Sequence, residues 1–218
     1  MSLAIFDLDN TLLAGDSDYE WGQFLVRRGI VDGETYEQAN RSFYEQYKAG
    51  TLDIHEFARF AFRPLAENRL EDLLAWREDF MREQIAPIIL PKARELLARH
   101  RERGETLMII TATNRFVTEP IAAELGVDHL LATDPEFRDG RYTGEIAGIP
   151  CFQTGKVRRL EAWLAEHGET LTGSHFYSDS HNDLPLLERV DHPVAVDADV
   201  TLTGIAGERG WHQMSLRF

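Results

Sequence analysis

Residues 3–16 read LAIFDLDNTLLAGD. Four apolar residues, Leu3–Phe6, run directly into Asp7 and Asp9, with Asn10 and Thr11 close behind. A short apolar run bounded by polar residues reads as a buried strand of the parallel kind. Such a strand seldom ends on two carboxylates, because charges near an apolar interior need compensation. The second carboxylate would also point to the opposite side of the strand end unless the backbone turns there.

Three later stretches repeat the arrangement of apolar run followed by polar cluster: IITATN at Ile109–Asn114, TGK at Thr154–Lys156 and YSDSHNDLPLL at Tyr177–Leu187. In a parallel sheet these positions fall at the carboxyl ends of strands, where open α/β sheets bind ligands.

Helical spacing dominates between about Ser17 and Ile85. Trp21, Phe24 and Leu25 recur at i, i+3, i+4, Phe43, Tyr44 and Tyr47 share one face at i, i+1, i+4, and Leu73, Leu74, Arg77 and Phe80 give another stripe. Breaks at Gly29–Gly33, Ala49–Leu52 and around Pro64 divide the region into about four helices without a strand. After Pro91 the chain alternates. Helices are predicted over Lys92–Arg103, Phe116–Leu125, Val157–His167 and Val200–Glu208, and strands over Thr106–Ile110, His129–Ala132, His175–Ser178 and Pro193–Val196. The Asp-Gly pair in FRDGRYTGEI signals a hairpin. The expected class is α/β, a parallel sheet covered on both faces, with a helical unit inserted after its first strand.

The chain has 218 residues and a formal net charge of −14. That charge argues against nucleic acid and anionic membranes as partners, and an anionic substrate would need local cations. A single cysteine, Cys151, permits neither an internal disulfide nor a cysteine-rich zinc motif. No apolar run is long enough to span a bilayer, and no leader-like segment is recognisable, so a cytoplasmic protein is expected.

Four carboxylates, Asp7, Asp9, Asp179 and Asp183, would converge if these strand ends meet. Like charges that close cannot all stay ionised unaided, and a hard divalent cation such as magnesium resolves the conflict. Helix capping is the simpler alternative for any one of them. A calcium loop is excluded, since Leu12 and Asp18 stand where the EF-hand needs Gly and Glu. Thr111, with free amides before a helix, could hold an anion. Lys156 opens a helix where a cation opposes the dipole, so a neighbouring anion would explain it, although surface lysines are common. Carboxylates and a metal on one side, with a hydroxyl and a lysine on the other, suit a phosphoryl group.

DLDNT, IITAT, TGK and SDSHND, in this order, resemble the four motifs of the haloacid dehalogenase-type phosphohydrolases. The helical insert, the hairpin and PCFQTGKVRRL are similar to the phosphoserine-phosphatase-like branch with a type I cap. The resemblance implies a Rossmann-like core over 1–15 and 88–218 with a cap over 16–87. It implies Asp7 as nucleophile, Asp9 as general acid/base, and Thr111 and Lys156 on the phosphoryl oxygens. Magnesium would be held by Asp7, Asp179 and the backbone carbonyl of Asp9, with Asp183 nearby and Asn182 positioning substrate. The reaction would be hydrolysis of a small phosphorylated metabolite by a monomer or homodimer. A phosphotransferase or phosphomutase and a non-catalytic regulator are the alternatives.

Where that branch has a substrate-reading glutamate this chain has Asp16, and Arg59 and Arg63 are the cap arginines available. Some bacterial relatives sharing DNTLLAGDSD are histidinol-phosphatases. Asp16 and Asp18 could hold an amino group, and Trp21 or Phe43 could pack on an imidazole or form cap core.

Overall fold

In the computed structural model, described over residues 2–217, seven strands form one sheet. They are β1 (Leu3–Phe6), β2 (Thr106–Asn114), β3 (His129–Arg138), β4 (Arg141–Ala147), β5 (His175–Ser178), β6 (His192–Val196) and β7 (His212–Met214). Their order is β4-β3-β2-β1-β5-β6-β7, and every neighbouring pair except β3–β4 is parallel. Chain order reverses across β1, which lies between β2 and β5. Crevices at the carboxyl ends of strands open at such switch points.

The helices are α1 (Ser17–Arg27), α2 (Gly33–Lys48), α3 (Ile54–Glu67), α4 (Leu70–Phe80), α5 (Pro91–Glu102), α6 (Arg115–Leu125), α7 (Thr154–His167), α8 (Leu184–Leu187) and α9 (Val200–Arg209). Alternation along β1 divides the core. Leu3 and Ile5 join Met108, Ile110, Leu160, Trp163, Leu187 and Leu202 beneath α7, α8 and α9. Ala4 and Phe6 face the other way, toward Leu97 of α5, Ile121 of α6 and the aromatic residues of the insert. With no position of β1 open to solvent, each residue is held by one layer or the other.

Helices α1–α4 occur together between β1 and β2, as their periodicity predicts. Asp16, Asp32 and Asp53 accept amide hydrogens at the starts of α1, α2 and α3, so several of the chain's acids are caps. Entry to and exit from the insert run side by side: Ala14 N donates to Ile88 O at 2.7 Å and Leu90 N to Leu12 O at 3.1 Å. No described helix is long and apolar enough to cross a membrane.

Three expectations need correction. Pro64 does not break a helix. It lies buried inside α3, which continues to Glu67 before the chain turns extended at Asn68, and the Asn68 side-chain amide donates to the Pro64 carbonyl at 2.7 Å. Strand β2 runs on to Asn114, with an irregular register against β3 after Ile110. The hairpin is an extension of the sheet, because β3 continues through Arg138 into it. Strand β7, three residues on the edge, was too short to show a pattern.

Gly155, in the first turn of α7, lies against the Pro150 carbonyl so closely that a Cβ would sit 2.0 Å from that oxygen. Gly155→Ala must therefore displace backbone. Overpacking of this kind costs about 1–3 kcal/mol. A lower melting temperature is expected, together with reduced activity, because the next residue is Lys156.

Candidate active site

Beyond Phe6 the backbone leaves the strand at once. The Asp7 amide still donates to Tyr177 O of β5 at 2.8 Å, but the amides of Thr11, Leu12 and Leu13 all turn back onto the Leu8 carbonyl, and Asn10 takes a positive φ of 57°. This turn removes the strand's alternation, so the side chains of Asp7 and Asp9 are no longer forced to opposite faces.

Lys156 is the centre of the cluster. Its Nζ donates to Asp7 Oδ1 and to Asp183 at 2.8 Å each, with all three residues buried. Asp183 also accepts from Ser178 Oγ at 2.7 Å. Asp179 accepts from Thr11 Oγ1 at 3.1 Å, and the same hydroxyl receives the Asp179 amide. Lysine, nucleophile-like aspartate and two further carboxylates thus come from three separate segments.

Asp9 is held apart from this group. Its Oδ1 accepts the Ser17 amide at 2.6 Å and its Oδ2 the Thr113 hydroxyl at 2.7 Å. Thr111 is buried at the end of the apolar part of β2, and its hydroxyl accepts the Thr113 amide at 3.2 Å. Asn114 caps α6 and donates its side-chain amide to Asp18 at 3.1 Å.

The electrostatics are lopsided. Burial pushes Asp7 well above the ordinary carboxylate range; Lys156 opposes this, and Asp183 and Asp9 reinforce it. Asp179 is raised by burial, then by Asp7 and Asp183. Burial works against the Lys156 ammonium, but Asp183 and Asp7 outweigh it and keep it charged. Burial and Asp16 push Asp9 up to about 6, and burial and Asp18 do the same for Asp16. Asp16 itself is exposed at the start of α1, where its carboxylate accepts the Asp18 and Tyr19 amides. One lysine cannot neutralise this many acids. An all-oxygen set of buried, mutually repelling carboxylates is what a hard divalent cation requires, so Asp7, Asp179 and Asp183 fit magnesium.

Lys156→Met would leave Asp7 and Asp183 buried without their cation. Breaking a buried pair in this way costs about 3–5 kcal/mol. The melting temperature should fall, more at pH 8 than at pH 5, because the unpaired acids can take up protons at the lower pH. Equal loss at both pH values would contradict the pairing.

A family model for haloacid dehalogenase-like hydrolase matches residues 4–188. The chain belongs to this family. A histidinol-phosphatase of Neisseria meningitidis serogroup C is 44% identical to it over 99% of both chains. A crystal structure of a Bordetella pertussis protein of unknown function is 46% identical, with a TM-score of 0.92 over 99% of this chain and 98% of the other. A phosphoserine phosphatase solved as a phospho-aspartyl intermediate analogue shares the fold at a TM-score of 0.71 and 18% identity, covering 99% of this chain and 93% of that one. This haloacid dehalogenase-like hydrolase is an enzyme, and the phosphatase character expected from its motifs agrees with the names its relatives carry.

In this hydrolase all four motifs meet at the carboxyl ends of β1, β2 and β5 and at the start of α7. Asn182 is engaged with the insert: its amide donates to Tyr47 O at 3.1 Å and its oxygen accepts from Gln153 at 2.9 Å, while Tyr47 OH donates to Ser180 Oγ at 2.9 Å. Arg59 and Arg63 lie elsewhere, exposed on α3. Arg59 approaches Glu145 of β4 at 4.0 Å and Arg63 approaches Glu67 at 3.9 Å; no hydrogen bond or ion pair among the described residues joins either to the motifs. Trp21 is buried among Phe24, Phe80 and Phe116, and Phe43 packs on Phe57 and Phe60. Trp21 is aromatic core of the insert, whereas Phe43 is half-buried in an aromatic cluster between α2 and α3.

Sequence reasoning missed Ser17 and Thr113 as partners of Asp9, and Tyr47 as the contact across to Ser180. Thr113 stood inside a flagged motif, whereas Ser17 acts through its backbone amide, which leaves no residue signal.

Proposed function

We propose that this hydrolase is a magnesium-dependent phosphomonoesterase that works through an aspartyl-phosphate on Asp7. Its substrate would be a small phosphate ester bearing a cationic group, an amino-alcohol phosphate such as histidinol phosphate. The observation that carries the reading is the buried Asp7–Lys156–Asp183 bridge, with Asp9 held separately by Ser17 and Thr113.

In this reading an Asp7 oxygen attacks phosphorus and the ester P–O bond breaks. Asp9, in its protonated form, gives its proton to the departing alkoxide. Water then attacks the acyl-phosphate while Asp9 accepts a proton, and inorganic phosphate leaves with Asp7 restored. Burial lifts Asp9 to about 6, so both forms are accessible near neutrality. Lys156 has three donors and uses two on Asp7 and Asp183, leaving one for a phosphoryl oxygen, with the Thr111 segment opposite. Magnesium held by Asp7, Asp179 and the Asp9 carbonyl, with Asp183 beside them, would neutralise the charge on the phosphoryl oxygens.

Asp16 and Asp18 support the cationic substrate. Burial and repulsion from Asp9 raise Asp18 to about 7, and its one side-chain partner among the described residues is the neutral amide of Asn114. An ammonium placed there would relieve the repulsion. The name of the 44% identical Neisseria relative points the same way. The test is phosphate release from a panel including L-histidinol phosphate, L-phosphoserine and an uncharged alkyl phosphate, with and without magnesium. Preference for the aminated esters, abolished by EDTA, is expected; equal turnover of the uncharged ester would contradict the substrate assignment.

Asp18→Asn separates substrate reading from fold. A carboxyl whose pKa is higher folded than unfolded contributes stability below the unfolded value and loses it as pH rises through the folded one. For Asp18 that window runs from 3.8 to about 7. The variant should therefore melt higher than the parent at pH 8, by less at pH 5, and equally only below about pH 3.8. Its kcat/KM should fall about 10–100-fold for aminated substrates, the worth of one charged hydrogen bond, and little for an aryl phosphate.

A further inference from the structure

At the opposite end of the sheet from the catalytic carboxylates, where β5 and β6 begin, lies a group of side chains the phosphatase chemistry does not use. His100 lies in the last turn of α5, Glu105 immediately precedes β2, and His175 opens β5. One donor atom from each lies within 4.8 Å of the others. His100 is fully buried, and its Nδ1 contacts the Glu105 carboxylate. The Nδ1 of His175 is buried with no hydrogen-bond partner among the described residues. A buried imidazole nitrogen without a partner is uncommon and calls for an explanation.

We propose that His100, Glu105 and His175 form a second metal site, for a divalent ion of intermediate softness such as zinc. Two imidazoles and a carboxylate are a recurrent zinc set, and nitrogen ligands disfavour magnesium, which separates this site from the all-oxygen cluster. The surroundings fit as well. A metal-bound histidine usually engages its other ring nitrogen with a hydrogen-bonding partner, and His100 Nε2 already meets Tyr177 OH at 2.8 Å. Binding needs no net proton loss from His100. Its proton moves from Nδ1, where it serves Glu105, to Nε2, and the Tyr177 hydroxyl turns to accept it. His175 is held below the usual histidine range by burial, then by His100 and His192, so its imidazole is neutral and able to bind. His192 stacks on it at 4.5 Å, a pocket of about 360 Å³ borders His175, Asp191, His192 and Trp211, and a water molecule would complete the coordination. The ion would tie the end of α5 to the starts of β2 and β5, stabilising the folded form by preferential binding.

The test uses tag-free protein, stripped by chelator and supplied with magnesium, then titrated with zinc and with cobalt(II). One zinc equivalent should bind and raise the melting temperature, and cobalt should give the intense visible bands of a four-coordinate nitrogen–oxygen site. His175→Ala and Glu105→Gln should each weaken zinc binding by more than about 100-fold, beyond the roughly 10–100-fold that losing a hydrogen-bonded neighbour costs. Both variants should keep magnesium-dependent phosphate release, and Asp179→Asn should keep the zinc equivalent. His175→Gln substitutes should the alanine variant fail to fold. Absence of zinc binding, or binding lost in Asp179→Asn and retained in His175→Ala, would overturn the proposal.

Discussion

Asp7→Asn is expected to release no phosphate above background, a loss of about 10⁴-fold or more in kcat, as when an attacking group is removed. Asparagine has nearly the same shape and keeps an oxygen to accept from Lys156 Nζ, now 2.8 Å from Asp7 Oδ1. What disappears is the charged oxygen that would attack phosphorus. The substitution also removes one of the mutually repelling buried carboxylates, since Asp183 and Asp9 both push Asp7 upward. The variant should therefore stay folded, and a melting curve separates loss of chemistry from loss of structure. A folded Asp7→Asn protein with more than a small fraction of parental turnover would mean that water attacks phosphorus directly.

Asp9→Asn is expected to slow turnover by about 10²–10⁴-fold, the usual contribution of a general acid/base, while magnesium affinity stays nearly unchanged. The amide can reproduce both present contacts, accepting the Ser17 amide and donating to Thr113 Oγ1. Its backbone carbonyl, the group assigned to the metal, is untouched. The defect should be larger for an alkyl phosphate than for an aryl phosphate, whose leaving group needs little protonation. The step in which water attacks the acyl-phosphate loses its base with either substrate. With an aryl phosphate the variant should therefore accumulate the covalent intermediate. Loss of magnesium binding in Asp9→Asn would instead make its carboxylate a ligand.

Much of this site was legible in the order of residues. Leu3–Phe6, Ile109–Ile110 and His175–Ser178 are apolar runs that end in polar clusters, and a parallel sheet must bring such ends together. Local pattern could not supply the turn that frees Asp9 from the alternation of β1, because it depends on Leu8 O receiving three amides and on the positive φ of Asn10. Lys156 was identifiable as a cation near a helix start, but its bridge between Asp7 and Asp183 joins residues far apart in the chain. Pro64 misled because its cost is local, whereas buried residues on both sides of it keep α3 intact. The cap arginines failed to join the motifs for a related reason. Helical spacing puts Arg59 and Arg63 on one helix, but the packing of α3 against β4 turns Arg59 to Glu145, and Arg63 pairs along its own helix with Glu67.

The central claim is that phosphate passes through Asp7. Magnesium-loaded Asp9→Asn protein, mixed with an aryl phosphate and quenched during turnover, can be treated with borohydride, which reduces an acyl-phosphate to the alcohol. Peptide mass spectrometry should then find homoserine at position 7 and unmodified aspartate at positions 16, 179 and 183. Unmodified Asp7 in a sample that is releasing phosphate, or homoserine at another position, would contradict the account.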